Sequence, residues 1–173
     1  MFNIFKLNQL IWFLIVLIAN SPVQSKEGVT IVADEISYLE NGSILKAKGN
    51  VQVKYNKYFL TTPELIFNRG TNTLTAADPI QLKSNDNLKI LAGSTEISND
   101  FKNIIAKHAT VLIDKQFYLQ SEKMERIENG HSIFYSSIGS ACVVCPSSPI
   151  PMWQIKADTI YHDPSMQKLH FKN

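Results

Sequence analysis

Ala33-Asp34-Glu35-Ile36 is the first copy of a short phrase, a small residue followed by an acidic and then an apolar one, that returns about every 29 residues. Later copies read Thr62-Pro63-Glu64-Leu65, Ser94-Thr95-Glu96-Ile97, Ser121-Glu122-Lys123-Met124 and Ala157-Asp158-Thr159-Ile160. Strand-like runs lie between the copies. Each unit therefore predicts a pair of strands that cannot bury its own apolar face and must stack on neighbouring units. The expected fold is an all-β stack of two-strand repeats.

Short strands and turns fill the chain after residue 26. Val51 and Val53 alternate with Gln52 and Lys54, which gives that strand one dry and one wet face. Elsewhere the alternation predicts strands of four to seven residues, among them 57–61, 64–68, 88–92 and 94–98. Helix signals are almost absent. Many short strands at regular spacing are typical of a sandwich, an open barrel or a solenoid.

Composition indicates one globular domain with no affinity for nucleic acid. The chain has 173 residues, 45% hydrophobic and 18% charged, which suits a single domain. Its formal net charge is +2, with the charges scattered along the chain. This balance gives no electrostatic basis for binding nucleic acid or an anionic membrane surface.

The first 25 residues differ from the rest. Lys6 is their only charge, and residues 10–19 are all apolar, a run shorter than the roughly 20 residues that span a bilayer. We expect residues 1–25 to be a signal peptide cleaved after Ser25, with an uncleaved N-terminal anchor as the alternative. Either way the following chain is exported.

Export decides how the two cysteines are interpreted. In an oxidising compartment a disulfide is the default state of Cys142 and Cys145. A bond between them would close a very short loop and add little global stability. Two roles remain open, local rigidity and thiol exchange with a partner.

Residues that carry chemistry are few and scattered. The recurring acids suit acid–base catalysis only if they pair, and their equivalent places in the repeat favour a role as markers of strand starts on the solvated face. The histidines and the CxxC pair lack the spacing of a zinc site. No nucleophile, phosphate-binding or dinucleotide-binding motif is present. We predict a binding or structural protein, not an enzyme, with no cofactor and no metal.

The positive signal is an apolar face shared by successive strands. Stacking in register would line one interior, either a closed core or a trough that shields acyl chains of an amphipathic lipid at about 0.8 kcal/mol per buried methylene. Alternation alone leaves both open. The candidate lining residues are Val51, Val53, Leu65, Phe67, Leu74, Ile80, Leu82, Leu88, Ile90, Ile97, Val111, Ile113, Phe117 and Leu119.

Several stretches resemble the OstA-like periplasmic domain: ADEISY at 33–38, LKAKGNVQV at 45–53, FNRGTNTLTA at 67–76, PIQL at 79–82 and AGSTEISNDFKNIIAKHATVLI at 92–113. This family carries lipopolysaccharide between the membranes of Gram-negative bacteria. It includes LptA-type bridge proteins and the N-terminal part of the LPS-assembly protein LptD. The resemblance implies an open, twisted β-jellyroll whose interior holds the acyl chains of the lipid.

The segment 140–173 is most similar to the part that, in some LptD proteins, joins the jellyroll to the outer-membrane barrel. The resemblance divides the chain into a signal peptide (1–25), an OstA-like β-jellyroll (26–140) and a CxxC loop with final strands (141–173) that leads towards a barrel this sequence lacks. It implies a truncated LptD N-terminal domain. A stand-alone LptA-like bridge protein is the alternative.

The resemblance also implies partners and a location. The partners are lipopolysaccharide, an LptA-like bridge protein, and an outer-membrane β-barrel with its lipoprotein partner. We expect the bridge protein to bind by edge-strand pairing, with Val29, Ile31 and Ala33 as the docking edge because no earlier strand covers them. The location would be the periplasm, in association with the outer membrane.

Overall fold

The computed structural model describes residues 28–85, 88–98, 100–113, 117–127, 129–141 and 152–173. In these ranges the chain forms one antiparallel sheet of 11 strands and a single 3-10 turn, Glu40–Gly42. No helix in these ranges is long and apolar enough to cross a membrane. The predicted signal peptide at 1–25 and the disulfide candidates Cys142 and Cys145 lie outside the described residues.

The strands follow one another across the sheet. They are β1 (Thr30–Val32), β2 (Glu35–Leu39), β3 (Ile44–Tyr55), β4 (Tyr58–Asn68), β5 (Thr73–Ser84), β6 (Lys89–Ser98), β7 (Ile104–Ile113), β8 (Phe117–Arg126), β9 (Ser132–Ser140), β10 (Ile155–Asp163) and β11 (Lys168–Lys172). From β3 to β11 each strand pairs with the next. Strands β1 and β2 lie end to end along β3 and form one edge of the sheet, and β11 forms the other.

Each strand from β3 to β10 is interrupted near its middle. In β4, Thr62 faces inward, Pro63 and Glu64 both face outward, and Leu65 faces inward again. The same skip of two residues occurs at 93–94, 107–108, 122–123, 135–136 and 158–159, and three residues are skipped at 48–50 and 77–79. We call this row of skips the bend line. A skip resets the alternation, so both halves of a bent strand bury the same face of the sheet.

The recurring phrase marks the bend line. Thr62, Ser121 and Ala157 are the small inward residues just before a skip, and the acids that follow them lie on the outer face. The prediction that the acids mark strand starts was therefore wrong, except at Glu35, which begins β2. The short strands predicted at 57–61 and 64–68 are the two halves of β4, because two consecutive outward residues look like a turn in the sequence pattern. The phrase falls on alternate strands, which confirms the two-strand repeat.

Contacts of Phe101 show that the sheet rolls over its own inward face. In a flat sheet, the hairpin at Tyr55 and Tyr58 and the hairpin that holds Phe101 would lie at opposite ends of the strands. Yet Phe101 is 1% exposed and stacks on both tyrosines, with ring centroids 5.5 and 5.3 Å apart and planes 17° from parallel. Two hairpins at opposite ends of the strands thus meet over the interior. The predicted all-β fold, an open, twisted β-jellyroll, is confirmed.

Candidate functional site: the apolar interior

The inward face of the sheet is one continuous apolar cluster. It contains every predicted lining residue: Val51, Val53, Leu65, Leu74, Ile80, Leu82, Leu88, Ile90, Ile97, Val111, Ile113 and Leu119 are buried, while Phe67 and Phe117 pack against the cluster and are partly exposed. The structure therefore brings together on one face residues from strands β3 to β8 and Leu88, which immediately precedes β6.

Sequence reasoning missed other members of this interior. The buried Leu60, Met124 and Ile160 lie next to the bend line or in the same alternation, so a pattern that allows a two-residue skip finds them. Phe101 is different, because it belongs to a hairpin between β6 and β7 and has no alternating neighbours. Its backbone has φ of 56°, in the left-handed region that bulky residues seldom adopt. No signal in the sequence identifies it as a core residue.

Small side chains line the interior on both sides of the bend line. We call this row the small-residue stripe; its buried members are Ala47, Thr62, Ala76, Ala92, Thr95, Ala106, Ala109, Ser121, Ser137 and Ala157. In most strands a small residue flanks the bend on one side and a large one on the other, as with Thr62 and Leu65 in β4; in β6 and β7 both flanking residues are small. Since a bent sheet brings the two halves of its inward face closest at the bend, small residues there let both halves pack.

Hydroxyl groups on the stripe fall into two kinds. Thr62 Oγ1 lies 2.7 Å from the carbonyl oxygen of Ala77 and 3.0 Å from that of Glu64, so it bonds at the point where the β4–β5 ladder is interrupted. By contrast, the hydroxyl oxygens of Thr95, Ser121 and Ser137 are buried and have no hydrogen-bond partner among the residues that the structure describes. Burying such a group without a partner is unfavourable.

Polar side chains gather at one end of the interior. Arg126 is buried and its Nη1 lies 3.5 Å from Ser132 Oγ, and His162 faces Ser132 in the neighbouring strand. Asp163 lies at the same end and holds the β10–β11 turn, accepting bonds from the backbone N–H groups of Ser165 (2.9 Å) and Met166 (3.2 Å). In the described ranges, no three His, Cys, Asp or Glu side chains are placed to bind a metal ion.

Acidic residues on the outer face make exposed ion pairs. Lys46 Nζ lies 2.6 Å from Glu64 Oε1, and this hydrogen bond lowers the pKa of the Glu64 carboxyl. Glu125 is 2.5 Å from Lys123 Nζ and accepts a hydrogen bond of 3.2 Å from the Tyr135 hydroxyl, and its pKa is lowered by Lys123 first. Both carboxylates are therefore ionised at neutral pH, whereas a general acid needs a raised pKa. In this structure both side chains form ion pairs on the outer face of the sheet.

The predicted docking residues lie at the N-terminal edge of the sheet. Ile31 is in β1 and faces Val53 of β3, while Val29 and Ala33 flank the strand. All three are partly buried against the interior. On its other side β1 has no neighbouring strand among the described residues. Docking itself remains a prediction.

Comparison with known proteins gives a likeness of fold. No family model matches the chain, and no curated protein sequence matches it. Among solved structures, the chain is similar to LptH of Pseudomonas aeruginosa, described as the LptA-homologous periplasmic component of the conserved lipopolysaccharide transport device. The two share 11% sequence identity with a TM-score of 0.48, over 87% of this chain and 85% of LptH. The likeness concerns the arrangement of the strands.

Proposed function

We propose that this chain is a non-enzymatic lipopolysaccharide-binding and transfer module that works in the periplasm and serves outer-membrane assembly. The observation that carries the proposal is an inward face that is apolar from β3 to β10, in a sheet that does not close. In the described ranges the strands at its two edges do not pair with each other. An unclosed apolar interior suits acyl chains, because a chain can enter from an edge without threading through a ring of strands.

The interior must open to take up lipid. Burying the roughly 12 methylenes of one acyl chain gives about 10 kcal/mol at 0.8 kcal/mol each. The interior side chains already pack against one another, and Val51, Leu65 and Val111 are 0% exposed. A lipid must therefore part the two layers of the roll, and the gain from the chain is offset by the contacts that are lost.

Photocrosslinking tests the proposal. A photoreactive residue at Ile90, which is buried on the inward face, or at Phe67, at its margin, should form adducts with lipopolysaccharide. The neighbouring Leu91 is 40% exposed on the outer face and provides the matched control. Adducts at Ile90 or Phe67 and none at Leu91 are expected. Absence of adducts at both inward sites would overturn the proposal.

The second candidate is a structural repeat protein with a permanently closed core. The full burial of the central residues, including Val53, Ile97 and Leu119 at 0% exposure, favours it. The two functions separate in amide hydrogen exchange. A lipid carrier should change the protection of the strand halves that surround the interior when lipopolysaccharide is added, while a closed core should not respond.

We further propose that the chain corresponds to the N-terminal domain of LptD, with an LptA-like bridge protein as the alternative. The support is the resemblance of segment 140–173 and the way β10 and β11 extend the sheet beyond β9. The other partners would be an outer-membrane β-barrel and its lipoprotein. Pairing of Cys142 with Cys145 remains a prediction, and mass mapping of the exported protein would test it.

Docking of the bridge protein on the β1 edge is tested by Ile31→Pro. Proline removes a backbone donor and disfavours pairing by an edge strand, so affinity for an LptA-type protein should fall. Leu169→Pro at the β11 edge is the matched control, since Leu169 is also a partly buried edge residue. Unchanged affinity of Ile31→Pro, with the fold intact by circular dichroism, would refute docking at β1.

A further inference from the structure

In the described part of the chain, three hydroxyl groups on the small-residue stripe have no hydrogen-bond partner. Thr95 is 4%, Ser121 7% and Ser137 2% exposed, and the hydroxyl oxygen of each is buried without a hydrogen bond. All three face inward, towards the apolar cluster. Unpartnered buried hydroxyls are uncommon in folded proteins, so three on one stripe call for a physical reason.

Packing of the small-residue stripe does not require hydroxyl groups at these three positions. The positions paired with them in the neighbouring strands are alanines: Ala76 and Ala106 flank Thr95, while Ala109 and Ala157 flank the Ser121–Ser137 pair. Alanine would fill equivalent space on the stripe without burying a polar atom. Nor does a trapped water fit well, because between Ser121 and Ser137 it would find only two side-chain partners, the lower limit for a buried water.

We propose that these hydroxyls are a subsite for acyl chains that carry a hydroxyl group. The inference rests on the proposed function, since it assigns a part of the same interior. A hydroxyl on the chain is donor and acceptor at once, as the serine hydroxyls are, so it bonds both members of the Ser121–Ser137 pair. An unsubstituted chain in the same place would leave both groups unsatisfied.

The spacing of the three hydroxyl groups indicates two separate positions for acyl-chain hydroxyls. Ser121 and Ser137 are direct partners across β8 and β9, and facing residues of this kind lie about 5 Å apart. Thr95 is two strands away from Ser121, on β6, and their partners in β7, Ala106 and Ala109, are three residues apart. The two strand spacings alone separate them by roughly 10 Å. One hydroxyl bonds the serine pair, and Thr95 takes the hydroxyl of a second chain.

The test compares 3-hydroxytetradecanoate with tetradecanoate by displacement of a fluorescent fatty acid. The wild-type protein should bind the hydroxylated chain more tightly. The double variant Ser121→Ala/Ser137→Ala should bind the hydroxylated chain about tenfold more weakly, which corresponds to one to two hydrogen bonds. Its affinity for the plain chain should stay within about twofold of the wild-type value. Ser94→Ala, on the outer face beside Thr95, is the control and should change neither affinity.

Thermal unfolding supplies a second readout. Removing an unpartnered buried hydroxyl should raise the midpoint of the double variant, so weaker binding cannot be ascribed to unfolding. Thr95→Val gives an independent variant of similar shape, with the same selective loss expected. An equal affinity loss for both chains, or no loss in either variant, overturns the inference. If neither chain binds the wild-type protein, the proposed function fails, and the inference with it.

Discussion

Phe101→Ala should destabilise the protein strongly, because it removes the contact that joins two hairpins at opposite ends of the sheet. Truncating a fully buried phenylalanine costs about 3–5 kcal/mol, and Phe101 is 1% exposed. That is a large part of the 5–15 kcal/mol typical of a domain. The two stacks with Tyr55 and Tyr58 account for about 1–3 kcal/mol of it. Phe101→Leu, which keeps apolar burial, should therefore lose only that part.

Urea unfolding followed by circular dichroism measures both variants. Phe59→Ala is the matched control, because Phe59 lies beside the same hairpin but is 38% exposed on the outer face; its loss should stay within about 1 kcal/mol. If Phe101→Ala costs no more than Phe59→Ala, the roll is not held by this contact.

Three further predictions concern single side chains. Gly139→Ala should destabilise by about 1–3 kcal/mol, because an added Cβ would lie 2.8 Å from the Phe117 ring, and denaturant titration measures the loss. Thr62→Val removes the hydroxyl that bonds carbonyl oxygens at the bend and should cost about 1 kcal/mol or more in the same assay. The pKa of Asp163 is lowered, first by the Ser165 hydroxyl, so its stabilising contribution is present above the ordinary carboxyl pKa and is lost as pH falls through the lower folded value. Asp163→Asn should therefore be less stable at neutral pH and lose less stability on acidification; a pH dependence equal to that of the wild type would contradict this.

The fold class follows from the sequence because strand alternation is a local property. Val51 and Val53 share a face whatever lies around them, and the repeat spacing gave the two-strand unit. The bend line was misinterpreted for an equally local reason. Two consecutive outward residues, such as Pro63 and Glu64 in β4, break the alternation in the same way that a turn does, so one bent strand was predicted as two short ones.

The interior could be predicted in part. Regular alternation identifies residues such as Ile90 and Leu119 as inward, and both are buried. Phe101 could not be found, since its burial depends on how the rolled sheet brings two hairpins together. The unpartnered hydroxyls could not be predicted from the sequence either. A serine at the bend, such as Ser137, looks like a solvated turn residue until the strands on both sides of it are known.

The bend line has a consequence for how such a chain changes length. The phrase that marks the bend in every second strand recurs at intervals of about 30 residues. Adding or deleting one whole interval leaves every later strand running in its original direction with the same residues facing inward. A change of one strand would reverse the direction of all that follow. The number of intervals thus sets the capacity of the interior, and evolution or a protein engineer can adjust that capacity in steps of two strands.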